Sequence, residues 1–448
     1  MSNAKPYHQL QLPGGWDLLE LHRHAPDRYP HLLESSSKGK NQGRYDLLFA
    51  FPEERISAEP SQFLSRLDSE YGTSFDVSSE EGPPFQGGWF LYLGYELAHA
   101  IEPVLGEPIP HPWGWETAWA QYFPAAIIHD HVLSRRYVVS MAGRKDLLEL
   151  IFADVMDAVD AVGRKARARD IPSLEVVSLQ APADDAYLEA VARILSFICE
   201  GDVFQVNLSH AWNGELGAGV SAADLYAALR RANPAPFSGL ATWGRSAVVS
   251  SSPERLVEAD QGWAAMRPIA GTHPRATDPA QDRKLRERLM AHPKEQAEHI
   301  MLVDLIRNDL GRIARLGTVE VDELMVCETY RHVHHIVSNV RARLQESMTP
   351  GQVIRAVFPG GTITGCPKVR CMEILNQLET TARGAYTGSM GYLSRHGRMD
   401  LNILIRSFEV QGRNFRFRTG AGIVADSRPG LELQETHQKA KGLLRALG

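Results

Sequence analysis

Four glutamates at helical spacing are the first residues in this chain that call for a chemical account. Glu295 and Glu298 stand three apart, as do Glu432 and Glu435, and Lys439 follows Glu435 by four. Residues three and four apart share one face of a helix, so each pair presents two carboxylates together. At about 100° per residue, the stripe Leu433, Ala440, Leu443, Leu444, Leu447 takes one side of the last helix, and Glu435 and Lys439 lie off its edge. Two accounts fit. Glu–Lys pairs at this spacing are common on solvated helix faces and contribute about 0.3–0.5 kcal/mol. If instead the two acidic faces meet across a cleft, four carboxylates with water suit Mg²⁺, a hard ion that takes oxygen ligands and keeps part of its hydration. Spacing alone leaves both open.

A second stretch, "MRPIAGTHPR" (Met266–Arg275), has two prolines and a glycine that forbid a helix. It reads as an extended arm ending in a turn, with a small, backbone-rich tip. Two other spellings fail on context. "GAGIVA" (Gly420–Ala425) matches a dinucleotide fingerprint, but Asp426-Ser-Arg-Pro-Gly430 cannot open the long helix such a phosphate site needs. In "RHVHH" (Arg331–His335), His332 and His334 share one strand face and His335 takes the other, which reads as ordinary strand histidines rather than a metal site.

The elements that must position these residues follow from patterning. "RYDLLFAFP", "GGWFLYLGYEL", "DVFQVNLSHAW", "HVHHIVSNVRARL", "MDLNILIRSFEV" and "RNFRFRTGAGIVAD" read as strands. "DLLELIFADVMDAVDAVGRKARARD" and "YLEAVARILSFICEG" read as helices, the second stopped by Gly201. A long helical pattern over Gln281–Gly317 is interrupted at Pro293, and "LELQETHQKAKGLLRALG" closes the chain as a helix. Strands come in runs rather than in strict alternation with helices. That predicts an α+β fold with antiparallel β-sheets forming a sandwich-like core flanked by helices. Prolines 172 and 182 mark a boundary, giving an N-terminal domain over 1–170 and a second over 185–448.

Composition bounds the rest. The chain has 448 residues, 44% hydrophobic and 23% charged, with a formal net charge of -6, which is a globular profile without a basic block for nucleic acid. Cys199, Cys327, Cys366 and Cys371 are too few for a disulfide framework and lack zinc spacing. "MSNAKPYHQLQLPGG" has no apolar run of the secretory kind, and no stretch is long and apolar enough to span a membrane. The expectation is a cytoplasmic protein with neither nucleic-acid nor membrane partners.

From about residue 200 to 447 the motifs "GDVFQVNLS", "SSPERL", "RPIAGTHPR", "AEHIMLVDLIRNDLGR", "HVHHIVSNV", "FPGGTITGCPKVRCMEI", "YTGSMGYLS", "MDLNILIRSF", "GAGIVADS" and "LQETHQKAKGLL" occur in order. Together they resemble the chorismate-utilising enzymes, the family of anthranilate synthase, aminodeoxychorismate synthase, and the isochorismate and salicylate synthases. "LLESS" and "GRYDLLFAFP" resemble its N-terminal region. The resemblance implies the chorismate-utilising enzyme fold and Mg²⁺ as cofactor. Glu298 and Glu435 would hold the metal, with Glu295 and Glu432 acting through water. It implies Glu254 as general acid toward the departing C4 hydroxyl of chorismate, with His335 and Thr272 beside the reacting ring. It assigns substrate binding to Gly271, Thr362, Tyr386, Arg406, Gly422 and Lys439, with the Arg406 fork on the pyruvyl carboxylate. Leu33, Glu34 and Ser35 correspond to the family's tryptophan-binding stretch, where a helix-to-loop transition with capping serines is the plainer reading.

Within the family, the branch that adds water resembles this chain least, because its lysine base is matched by Gln205. Ammonia is then the nucleophile, supplied by a separate glutaminase subunit, since no "GxCxG" elbow is present. Ala270 stands where many aminodeoxychorismate synthases carry a nucleophilic lysine, as in anthranilate synthases. "QVNLS", "FPGGTITGCPK", "GRYDLLFAFP" and the compact length resemble the aminodeoxychorismate branch, which includes members with alanine there. That branch implies 4-amino-4-deoxychorismate as product, aminodeoxychorismate lyase downstream and 4-aminobenzoate for folate. The alternatives are an anthranilate synthase component I and, in another class, a non-catalytic relative that binds ligand without turnover.

Overall fold

Side chains along the strand Tyr45–Ala50 divide by parity. Leu47 and Phe49 join Phe90, Tyr92, Trp119, Met390 and Tyr392 in one core, while Leu48 and Ala50 join Leu19, Ile151, Leu229 and Leu443 in another. The strand Gly88–Leu93 does the same: Phe90 and Tyr92 face the first core, and Trp89, Leu91 and Leu93 face a third with Phe63, Ile306 and Val353. A strand alternates its side chains, so a strand apolar on both faces must be covered on both. The computed structural model, which describes residues 6–36, 43–72, 82–165, 174–329 and 333–448, meets that demand with two open sheets packed face to face and helices on each outer face.

Among the described residues the sheets have twelve and ten strands, antiparallel throughout. This is the α+β sandwich that the sequence predicts. Strands from both sides of residues 170–185 share each sheet: His31–Glu34 pairs with Phe237–Trp243, and Gly88–Leu93 with Ser389–Ser394. No described helix is long and apolar enough to cross a membrane.

The long helical pattern breaks as its proline requires, into Pro279–Met290 and Pro293–Gly311, each with proline in its first turn, where a missing N–H costs nothing. Four readings need correction. "MRPIAGTHPR" does not end in a turn. It forms the strand Ile269–Pro274, and its register against Val333–Arg343 shifts between Ala270 and Thr272, where Gly271 takes φ +71°. "MDLNILIRSFEV" is two strands, Met399–Asn402 and Ser407–Gln411, separated by a loop in which Arg406 has φ +53°. A long helix does follow "GAGIVA", at Pro429–Leu447, but that strand lies antiparallel to both neighbours, so the phosphate site fails on topology instead. "LLESS" contains the strand His31–Glu34 and no helix end. His332 lies outside the described residues.

Candidate active site

The site forms where the helices Pro293–Gly311 and Pro429–Leu447 approach the bulged strand Ile269–Pro274 and the strand pair Gln205–Leu216 and Asn414–Ile423. Its acidic side is real at the level of charge. Glu298 is half-buried, and its carboxyl is raised first by burial, then by the neighbouring charges of Glu295 and, from the other helix, Glu435. Glu432 is raised by burial and by Glu435. The Gln205 amide donates to Glu298 Oε1 at 3.1 Å. Lys439 pairs with Glu435 at 2.7 Å and donates to the Gly420 carbonyl at 3.1 Å. Farther out, Lys294 at the start of one helix meets Asp426 just before the other at 3.1 Å.

Two glycines let the walls close. A Cβ on Gly271 would lie 2.8 Å from Glu295 Oε2, and one on Gly422 would lie 2.4 Å from Gln205 Nε2. Gly420 serves the third contact, because a Cβ there would stand 2.7 Å from the Tyr386 hydroxyl and 2.9 Å from Asn207 Oδ1.

The basic side is built by two backbones held together. Thr387 N–H donates to the Leu404 carbonyl and Leu404 N–H to the Gly388 carbonyl, each at 2.8 Å. Thr387 and Arg406 both have positive φ without being glycine, an outlier conformation that persists where the surroundings impose it. The result sets Arg406 beside Tyr386. Burial lowers the affinity of the Arg406 guanidinium for its proton, and among the described residues no carboxylate stands among the groups that act on it. A desolvated cation without an anion is a binding site for one. His335 pairs in register with Thr272. Burial first, then the Arg406 charge, lowers its imidazole to about 4 against a hydrogen bond to the Gly271 carbonyl, so it is neutral near pH 7. The Thr272 side chain lies outside the described residues.

Glu254 completes the set. It is buried, accepts the Thr362 hydroxyl at 2.7 Å, and burial pushes its carboxyl up to about 7 against that bond and the Lys439 charge. Contacts and charge couplings therefore run from Gly271 through Glu295, Glu298, Glu435, Lys439, Gly420, Tyr386, Arg406 and His335 back to Gly271, with Glu254 reaching in at Lys439. Such an arrangement can hold a small anion at Arg406 and a cation among the glutamates, and can deliver a proton from Glu254. The glutamate oxygens are all hard donors but form no closed cage: among the described residues only Asp46, His129 and His131 bring three ligand atoms within 4.8 Å. Leu33 and Glu34 stand elsewhere, lining a cavity of about 270 Å³ with Tyr45, Phe237 and Met390. Ser35 is buried, and its N–H donates to Asp46 at 2.8 Å.

The contact of Gln205 with Glu298 and the placement of Asn207, whose Oδ1 is buried without a partner, were not read from the sequence as parts of the site. The signals were their position in "FQVNL" and, for Gln205, its match to the lysine base of the water-adding branch.

A sequence profile of the chorismate binding enzyme family matches residues 29–445, and the chain belongs to that family. Among its relatives, the anthranilate synthase component I-like protein of Synechocystis sp. is 39% identical over 443 residues, covering 96% of this chain and 86% of the relative. Aminodeoxychorismate synthase component 1 of Bacillus subtilis is 35% identical, covering 96% of this chain and 94% of the relative. The crystal structure of anthranilate synthase component I from Streptococcus pneumoniae superimposes with a TM-score of 0.77 at 29% identity, covering 91% of this chain and 95% of that one.

Proposed function

We propose that this chain aminates chorismate with ammonia to give 4-amino-4-deoxychorismate, the route to 4-aminobenzoate for folate. The observation that carries a chorismate reaction is Glu254: a buried carboxyl raised to about 7 is the proton donor needed to expel a hydroxyl as water. Arg406, with no ion-pair partner among the described residues and beside Tyr386, takes the pyruvyl carboxylate. Glu298 and Glu435 would hold Mg²⁺, with Glu295 and Glu432 acting through water; their mutual repulsion and all-oxygen donor set suit a hydrated divalent ion. Held there, Mg²⁺ would supply Lewis-acid chemistry to a substrate carboxylate. Gly271 brings backbone against Glu295 where a side chain has no room, and the neutral imidazole of His335 lies beside Arg406 without adding charge. Chorismate and ammonia yield the amino product and water, the leaving C4 oxygen taking the Glu254 proton. The ammonia comes from a separate glutaminase subunit, and aminodeoxychorismate lyase acts downstream.

The 4-amino product is favoured by the motifs of the aminodeoxychorismate branch. Anthranilate is the second reading, carried by Ala270 and by the names of the Synechocystis and Streptococcus pneumoniae proteins. The cavity at Leu33 and Glu34 is the corresponding place for tryptophan. Incubating the pure chain with chorismate, MgCl₂ and ammonium separates the products. We expect 4-aminobenzoate only after the lyase is added; anthranilate fluorescence without it establishes the second reading. Chelating magnesium, or Glu298→Ala, abolishes either product.

A further inference from the structure

We propose that Asp46, His129 and His131 form a binding site for one divalent first-row transition ion, distinct from the glutamate cluster. The strands Tyr45–Ala50 and Ala125–Asp130 are antiparallel, and Asp46 is directly opposite His129 in their register. His131 lies two residues beyond His129, hence on the same face. It is returned toward Asp46 because its N–H donates to the Arg44 carbonyl at 2.9 Å.

The two imidazoles converge, with ring centroids 4.1 Å apart. Both aim a nitrogen at one oxygen: His131 Nε2 is 2.7 Å and His129 Nδ1 3.3 Å from Asp46 Oδ2. The other oxygen, Oδ1, is held by the Ser35 N–H at 2.8 Å, which fixes the carboxylate plane. A tetrahedral ion with bonds of about 2.0–2.1 Å sets its ligand atoms roughly 3.3 Å apart, and the three ligand atoms here lie within 4.8 Å of one another. Two neutral imidazoles and a carboxylate are the donor set of Zn²⁺, Co²⁺ or Ni²⁺ rather than of Mg²⁺.

Nearby cations do not occupy the place. Arg44 is bidentate on Asp130, and Arg136 donates to the Trp16 carbonyl. Asp46 is buried, and the two imidazoles are mostly covered yet keep 20% and 15% of their side-chain surface, which gives an ion an entry. Binding moves each ring proton to the outer nitrogen, leaving the inner lone pairs for the metal. The ion would pin together the two strands and, through Ser35, the segment carrying Leu33 and Glu34, and so stiffen one wall of the cavity they line. Without an ion, the three groups are a hydrogen-bonded triad and no more.

The test uses untagged, chelator-stripped full-length protein titrated with ZnSO₄ by calorimetry and with CoCl₂ by visible absorption. The expected result is one equivalent bound, tetrahedral cobalt bands, and a melting temperature that rises with added Zn²⁺. The double change His129→Ala/His131→Ala should weaken binding by at least about a hundredfold and remove the thermal shift. His131→Gln serves as a milder second variant should the double one fold poorly. Glu298→Ala should bind Zn²⁺ at this site as the parent does. No binding by the stripped parent, binding undiminished in the histidine variants, or binding lost in Glu298→Ala overturns the proposal.

Discussion

Gly271 and Glu295 meet so closely that a Cβ on the glycine would lie 2.8 Å from Glu295 Oε2. The same hypothetical atom would also approach Leu289 Cδ1 at 3.1 Å, and φ of +71° is strained for any L side chain. Gly271→Ala should therefore cost about 1–2 kcal/mol of stability and displace Glu295. The expected outcome is a melting temperature lower by a few degrees, with an at least tenfold rise in the magnesium concentration needed for half-maximal turnover.

A carboxyl can act as a general acid only while protonated. With the Glu254 carboxyl near 7, turnover at a constant concentration of free ammonia should fall as pH rises through about 7. Stability follows the same sign. Between the ordinary 4.5 and about 7 the unfolded chain has lost this proton while the folded chain keeps it, so stability falls with rising pH across that window. Glu254→Gln should lower kcat by about 10²–10⁴-fold yet melt higher than the parent at pH 8, by up to about 3 kcal/mol of linkage. Melting curves and pH–rate profiles of the pair check both.

Gly422 leaves room for the Gln205 amide that reaches Glu298. Gly422→Ala would place a methyl 2.4 Å from Gln205 Nε2, at the end of a side chain that can swing away. The fold should survive, with a melting temperature within a few degrees of the parent. The 3.1 Å bond to Glu298 should be lost, and the KM for chorismate should rise about tenfold.

Burial lowers five histidines far below their ordinary 6.5: His31 to about 3, and His210, His299, His335 and His396 to about 4. As pH falls from 6.5, the unfolded chain takes up protons that the folded chain refuses, so stability drops until about 4. Carboxyls raised by burial, among them Glu254, Glu298 and Glu432, oppose this. Urea midpoints should be clearly lower at pH 5 than at pH 7, and replacing His299 with Gln should shrink the difference.

Much of this protein is legible along the chain. Apolar runs in "YDLLFA" and "GWFLYL" announce strands, and helical spacing places Glu295 with Glu298 and Glu435 with Lys439. Those patterns are local, set by backbone geometry and by which side chains must leave water. What the tertiary structure alone decided is which faces meet. Glu298 and Glu435 belong to helices far apart in sequence, and only the docking of those helices near the same bulged strand and strand pair brings their charges within reach of each other. The bulge at Gly271, the loop break at Arg406 and the convergence of Asp46 with His129 and His131 were equally silent, because each depends on the register of strands that come together only when the sheets assemble.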